Sequence, residues 1–158
     1  PLLKPTAQKA LDYLESHRNP YGVWRYQPRD GENDTSVTAW CLTALASGRF
    51  IGLEVNSQAL ELGLRFLDDV TGEDGRCGYT QRGEWSSRIP GEHAKQFPPE
   101  KNETLTAAGL WCRFLLEQDP KTVPVMQKAA ERILRNPPRW DTSAGTIDHC
   151  YWYWATYA

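Results

Sequence analysis

Apolar residues recur at helical spacing in three separate stretches of this chain. Ala7, Ala10, Leu11 and Leu14 fall at i, i+3, i+4 and i+7, with Lys9, Asp12 and Glu15 opposite them. Leu60, Leu64 and Leu67 repeat the stripe, and so do Met126, Ala130 and Ile133. Between these amphipathic segments lie three runs without a charge, at residues 35–48, 104–112 and 150–158. A helix apolar on every side is buried on most of its sides. The pattern therefore predicts amphipathic outer helices alternating with buried inner helices, about six in all. No run shows the two-residue alternation of a half-buried strand.

The alternation is a repeat. "ALDYLESHRNPYGVWRY" (residues 10–26) aligns without a gap on "GLRFLDDVTGEDGRCGY" (residues 63–79), at an offset of 53. Leu11 meets Leu64, Tyr13 meets Phe66, Gly22 meets Gly75 and Tyr26 meets Tyr79. "DTSVTAWCL" from Asp34 then resembles "NETLTAAGL" from Asn102 at an offset of 68, which marks an insertion between Tyr79 and Asn102. A looser third copy has "AAERILRNPPRW" from Ala129 and "DHCYWYWATYA" from Asp148. Similarity at a fixed period is the mark of stacked helical units. The expected fold is all-α: an α/α toroid, or an open arc of one, built from about three helical hairpins in inner and outer layers. The whole of residues 1–158 is one repeat domain.

Local signals agree with this plan. Asp34, Asn102 and Asp148 each stand just before an inner helix, where a side-chain oxygen accepts from a free N–H of the first turn. Gly48 and Gly52 suit the end of the first inner helix. Pro120 and Pro124 bracket the start of the third outer helix. Residues 81–101, "QRGEWSSRIPGEHAKQFPPEK", form a long loop insertion rich in Gly, Pro and charge. Its Trp85, Arg88, His93 and Phe97 are either contacts for a ligand or partner, or aromatics and polar groups that pack locally.

Composition narrows the partners. A net charge of −2 and a pI near 5.9 give no sign of nucleic acid or an anionic membrane as partner. No apolar run approaches the roughly 18 residues of a membrane span. The chain lacks an initial Met and ends inside a predicted helix, so it reads as an excerpt of a longer protein. Cys41, Cys77, Cys112 and Cys150 form no C-x-x-C pair and read as buried free thiols.

Tryptophan-bearing turns between helices, together with "DTSVT", "TAAGL" and "YWYWAT", resemble the prenyltransferase and squalene-oxidase repeat. That repeat builds the toroids of squalene–hopene cyclases, protein prenyltransferase β-subunits and complement-type thioester domains. The nearest likeness is to bacterial cyclase-like repeat proteins of unassigned function, and it runs along nearly the whole chain. It speaks for the fold more than for an activity.

Each chemistry of the family is tested on the residues. Cyclases of this type use Asp-x-Asp-Asp-Thr, whose middle Asp protonates an alkene or epoxide. Here the motif reads Gly31, Glu32, Asn33, Asp34, Thr35, so an amide stands in place of the acid. In the family, a Gln-x-x-x-Gly-x-Trp turn ties neighbouring helices. Gly22 and Trp24 match it and Arg18 replaces the Gln, which makes Trp24 a structural staple. Zinc in prenyltransferases is held by Asp, Cys and His. Asp74, Cys77 and His149 are the nearest counterparts, out of register with the family spacing. A thioester would need a Gln three residues after Cys77, and Gln81 is four away.

The resemblance implies a non-catalytic or activity-lost module for ligand or protein binding within a larger bacterial protein. The alternative is a divergent terpene cyclase or prenyltransferase-type enzyme whose catalytic residues lie partly outside this chain. A carbohydrate-active toroid would need paired carboxylates among Asp34, Glu103 and Asp148. No cofactor is expected. Candidate ligand-binding residues are Asn33, Asp34, Asn102, Asp148, Trp152 and Tyr153, with an apolar small molecule as the ligand. The remainder of a longer polypeptide, or a second copy, would close the toroid.

Overall fold

In the computed structural model, the described residues are 3–87, 95, 98–143 and 147–158. They form six α-helices: α1 (Lys4–His17), α2 (Thr35–Phe50), α3 (Ser57–Val70), α4 (Thr104–Leu115), α5 (Pro124–Arg135) and α6 (His149–Tyr157). Among them there is no strand, only one isolated bridge between Thr71 and Cys77. The protein is all-α, as its periodicity predicts. None of these helices is long and apolar enough to cross a membrane.

The helices pair in the order the repeat implies. α2 packs against α1, α3 and α4, while α4 packs against α2, α5 and α6. The core takes Leu11 from α1, Leu42 and Leu45 from α2, Leu60 and Leu67 from α3, Leu110 from α4, and Met126 and Ile133 from α5. Two glycines set close approaches. A Cβ on Gly63 would lie 2.5 Å from Leu42 Cδ2, so its absence lets α3 settle onto α2. Gly48 does the same for α1, where a Cβ would meet Leu11 Cδ1 at 2.4 Å. Gly48 therefore sits inside α2 and does not end it. The helix runs on to Phe50, and Gly52 follows with a φ of +75°.

The amphipathic stripes are only partly buried. Leu11 is buried, Ala7 and Leu14 are half-buried, and Ala10 is exposed. The third uncharged helix also departs from expectation. On α6 only Tyr151 and Trp154 are buried, while Tyr153 and Tyr157 are exposed.

The repeat is visible in hydrogen bonds. Trp24 N donates to Thr38 Oγ1 at 3.3 Å, and Cys77 N donates to Thr106 Oγ1 at 3.1 Å. The aligned residues Tyr26 and Tyr79 share a hydroxyl contact of 3.1 Å. Trp24 is 2% exposed, and its indole N–H donates to Leu14 O at 2.8 Å, which ties the turn to α1. Trp24→Phe should lower stability by about 1–3 kcal/mol, because that buried carbonyl loses its donor. Trp24→Ala should lower it by about 3–5 kcal/mol. Urea unfolding measures both, and a Trp24→Phe midpoint equal to that of the parent chain would contradict the role of the indole N–H.

Candidate functional site

The start of α2 gathers the motif residues. Asp34 is fully buried. Its Oδ1 accepts from Val37 N at 2.8 Å and from Ser36 Oγ at 2.7 Å, so it caps the helix as its position predicts. Its Oδ2 lies 3.8 Å from Arg25 Nε and has no hydrogen-bond partner among the described residues. Asn33 Oδ1 accepts from Val23 N at 3.0 Å and from Asn19 Nδ2 at 3.1 Å. Thr35 donates its N–H to Tyr79 O at 2.9 Å and its hydroxyl to Gly78 O at 2.8 Å. Beside them lies an open hollow lined by Arg25, Glu32, Asn33, Asp69 and Thr80. The Tyr79 phenol is pushed up to about 12, first by burial, then by its hydrogen bond with Tyr26 and the charge of Asp34.

The start of α4 is built differently. Asn102 Oδ1 accepts from Thr104 N, the first N–H of the helix, at 2.8 Å, although the N-cap position itself is Glu103. The next two N–H groups go to Ser86: Leu105 N to its carbonyl at 2.9 Å and Thr106 N to its hydroxyl at 2.6 Å. The insertion thus supplies the cap, and Ser86 is buried to do so. Asn102 also donates its side-chain amide to Asp148 Oδ2. Asp148 Oδ1 caps α6 through Tyr151 N at 3.0 Å.

Next to Asn102, the Glu103 carboxylate is fully buried. Its Oε1 accepts from Arg132 Nη2 at 2.9 Å, Arg132 Nε at 3.1 Å and Arg76 Nη2 at 3.2 Å. Its Oε2 accepts from Thr106 Oγ1 at 2.7 Å. Arg132 reaches on to Asp74 at 2.8 Å. The Arg76 guanidinium lies 4.8 Å from the Trp85 ring centroid, a cation–π contact. Two guanidiniums and a hydroxyl thus take up both oxygens of the Glu103 side chain.

The carboxylates weighed for sugar chemistry are thus committed: Asp34 and Asp148 to caps, Glu103 to arginines. The zinc candidates also have other engagements. Asp74 pairs with Arg132, and His149 is exposed with its ring 5.7 Å from Trp152. Cys77 is buried, its sulfur 3.8 Å from Gly78 O and 4.0 Å from Thr35 Oγ1. Among the described residues, no group of three or more His, Cys, Asp and Glu is arranged to hold a metal ion. Of the insertion residues, Trp85 lies on Arg76, while Arg88, His93 and Phe97 are outside the described residues.

Trp152 and Tyr153, adjacent in sequence, join different clusters. Trp152 meets Trp140 at 5.4 Å between ring centroids. Tyr153 meets Trp40 of α2 at 4.9 Å and Tyr157 at 5.1 Å, and Trp111 of α4 meets Tyr157 at 5.2 Å. Trp40 is 50% exposed, Tyr157 51% and Tyr153 40%. An aromatic surface therefore runs across α2, α4 and α6 and is open to solvent.

The chain matches no family model, no curated protein and no solved structure.

Three thiols are free and buried, as expected, but Cys150 is exposed on the first turn of α6. Burial pushes Cys77 up to about 11 and Cys41 up to about 12, from an ordinary value of 9.0. Unfolded thiols ionise at that lower value, so this stability is complete below pH 9 and is lost as pH rises towards 11 and 12. The melting temperature should fall over that window, and less steeply in Cys41→Ala. Below it, Ellman's reagent should label Cys150 alone in the native chain. At Glu103, Glu103→Gln should lower stability by about 3 kcal/mol, because two guanidiniums lose their counter-charge. A midpoint shift in urea below about 1 kcal/mol would assign the cluster the small worth of a surface pair.

Proposed function

We propose that the chain is a non-catalytic, cyclase-like module of an α/α toroid or arc, which binds an apolar small molecule on its aromatic surface. One observation supports the loss of catalysis most directly. The amide oxygen of Asn33, in the place of the family's proton donor, is held by two N–H groups. A carboxylate at that position would receive the same two donors and the nearby Arg25, and all three favour the ionised form. The site around it is built to hold a loop, not to keep a carboxyl neutral. The hollow beside it is open to solvent, and Arg25, Glu32, Asp69 and Thr80 share its lining with Phe66 and Val70, so a carbocation there would be exposed to water.

The exposed rings of Trp40, Tyr153 and Tyr157, with Trp111 beside them, support the binding half of the reading. Large rigid rings give an apolar ligand buried area with little loss of side-chain freedom. The named polar candidates Asn33, Asp34, Asn102 and Asp148 belong to the frame that positions these helices.

Titration with farnesol, followed by tryptophan fluorescence and product analysis, tests both halves. The parent chain and Asn33→Asp should show the same saturable quenching and return the alcohol unchanged. Trp40→Ala should bind about tenfold more weakly, the loss expected for one half-exposed ring. A cyclised or dehydrated product from either chain would refute the loss of catalysis. Quenching that never saturates would refute the ligand.

A further inference from the structure

Two large apolar side chains stand in water at an internal turn. Phe50, the last residue of α2, is 92% exposed, and Ile51 after it is 66% exposed. The turn that carries them is fixed by backbone hydrogen bonds. Ile51 N donates to Ser47 O at 3.2 Å, Gly52 N to Arg49 O at 3.1 Å and Leu53 N to Gly48 O at 2.9 Å. Gly52 takes the left-handed conformation that such a helix end needs, and Leu53 folds back into the core. Phe50 and Ile51 therefore project from an ordered end of the molecule.

The second unit shows that stacking leaves such an end open. α4 finishes in the same way, with Glu117 in the left-handed conformation. Glu117 N donates to Phe114 O at 3.0 Å, and Gln118 N donates to Arg113 O at 3.0 Å. α4 has inner helices on both flanks, α2 and α6, yet Phe114 and Glu117 are exposed. A neighbouring unit covers a helix along its flank and not at its tip. The exposure of Phe50 and Ile51 is thus a property of this end of the bundle. The two tips lie side by side, because Arg49 Nη2 meets Glu117 Oε1 at 3.0 Å.

The size and charge of the patch select its partner. Phe50 and Ile51 together offer roughly 300 Å² of apolar surface. A stable protein interface takes about 800 Å² from each side. A lipid bilayer needs no matching shape, and two adjacent apolar side chains on a projecting turn can enter it. The charges around them are balanced. Arg49 pairs with Glu117, and Lys4 and Glu54 border an open hollow at Gly52. Balanced charge suits a zwitterionic headgroup layer and gives no preference for an anionic one.

We propose that this end of the molecule rests on a zwitterionic lipid surface, with Phe50 and Ile51 inserted below the headgroups. The contact is interfacial, and none of the described helices needs to cross the bilayer for it. Arg49, Glu117, Lys4 and Glu54 would stay among the headgroups, where both phosphate and choline can meet them. The inference does not rest on the ligand reading, since Phe50 and Ile51 are not part of the aromatic surface.

Sedimentation with phosphatidylcholine vesicles tests it. The parent chain should partition onto the vesicles, and to the same extent when salt is raised to about 0.5 M. Phe50→Ser and Ile51→Ser should each weaken partitioning about tenfold, and the double variant about a hundredfold. Both positions are exposed, and circular dichroism melts matching the parent would confirm that the variants fold. Trp40→Ala should partition as the parent does, which keeps this surface distinct from the one assigned to the ligand. A parent chain that stays in the supernatant at millimolar lipid overturns the proposal and leaves the patch to a protein partner. Release by salt also overturns it, because the contact would then be one of charge. So does a double variant that partitions as well as the parent.

Discussion

A helix that begins inside a protein brings its first free N–H groups with it, and leaving one unpaired costs about 1–3 kcal/mol. α2 and α4 both begin at fully buried positions, Asp34 and Glu103. The rest of the architecture follows from how those N–H groups are satisfied. At α2 the cap is local, through Asp34. The first N–H crosses to the carbonyl of Tyr79, so the start of one unit fixes the turn of the next. At α4 the cap comes from Ser86, so the long insertion must be anchored before that helix can begin. Helix starts and loop paths are therefore one problem, and moving either unsatisfies the other.

Glu103 is the most demanding group in this frame. A buried carboxylate is tolerated only with close counter-charges and its oxygens bonded. Here the counter-charges come from the second turn, through Arg76, and from the third outer helix, through Arg132. One carboxylate thereby joins three segments distant in sequence. Replacing such a cluster with apolar groups is often neutral for stability, so its contribution is to the register of α5 on α4. A shift of α5 by one residue would carry Arg132 away from Glu103 and strand the charge.

The layout was legible in the sequence because it rests on periodicity. Six helices and their alternation of amphipathic and uncharged follow from apolar spacing and the repeat. The caps at Asp34 and Asp148 were legible for the same reason, since a cap is a local device. What escaped was non-local. Nothing in "QRGEWSSRIP" says that Ser86 caps a helix eighteen positions downstream. Arg76 and Arg132 look like ordinary surface charges until they converge on Glu103. Gly48 looked like a helix stop because its true reason, the side chain of Leu11, lies on another helix. The exposure of α6 was hidden too, because an uncharged run says a helix avoids charge and not that something covers it.

One repeat position condenses the relation between sequence and surroundings. It is occupied by Thr35, Glu103 and His149 in turn, always as the first residue of, or next to, the start of the second helix of a unit. In the first unit it faces two backbone carbonyls, and a small side chain with a hydroxyl donor fits them. In the second it faces two guanidiniums, and a carboxylate fits those. In the third it faces solvent, and a histidine set edge-on to a neighbouring tryptophan stands there. A junction position can vary in this way, because its chemistry is set by the segment that it meets. The variation along the repeat is therefore the expected signature of a frame residue, and it places the start of each second helix among the elements that build the molecule.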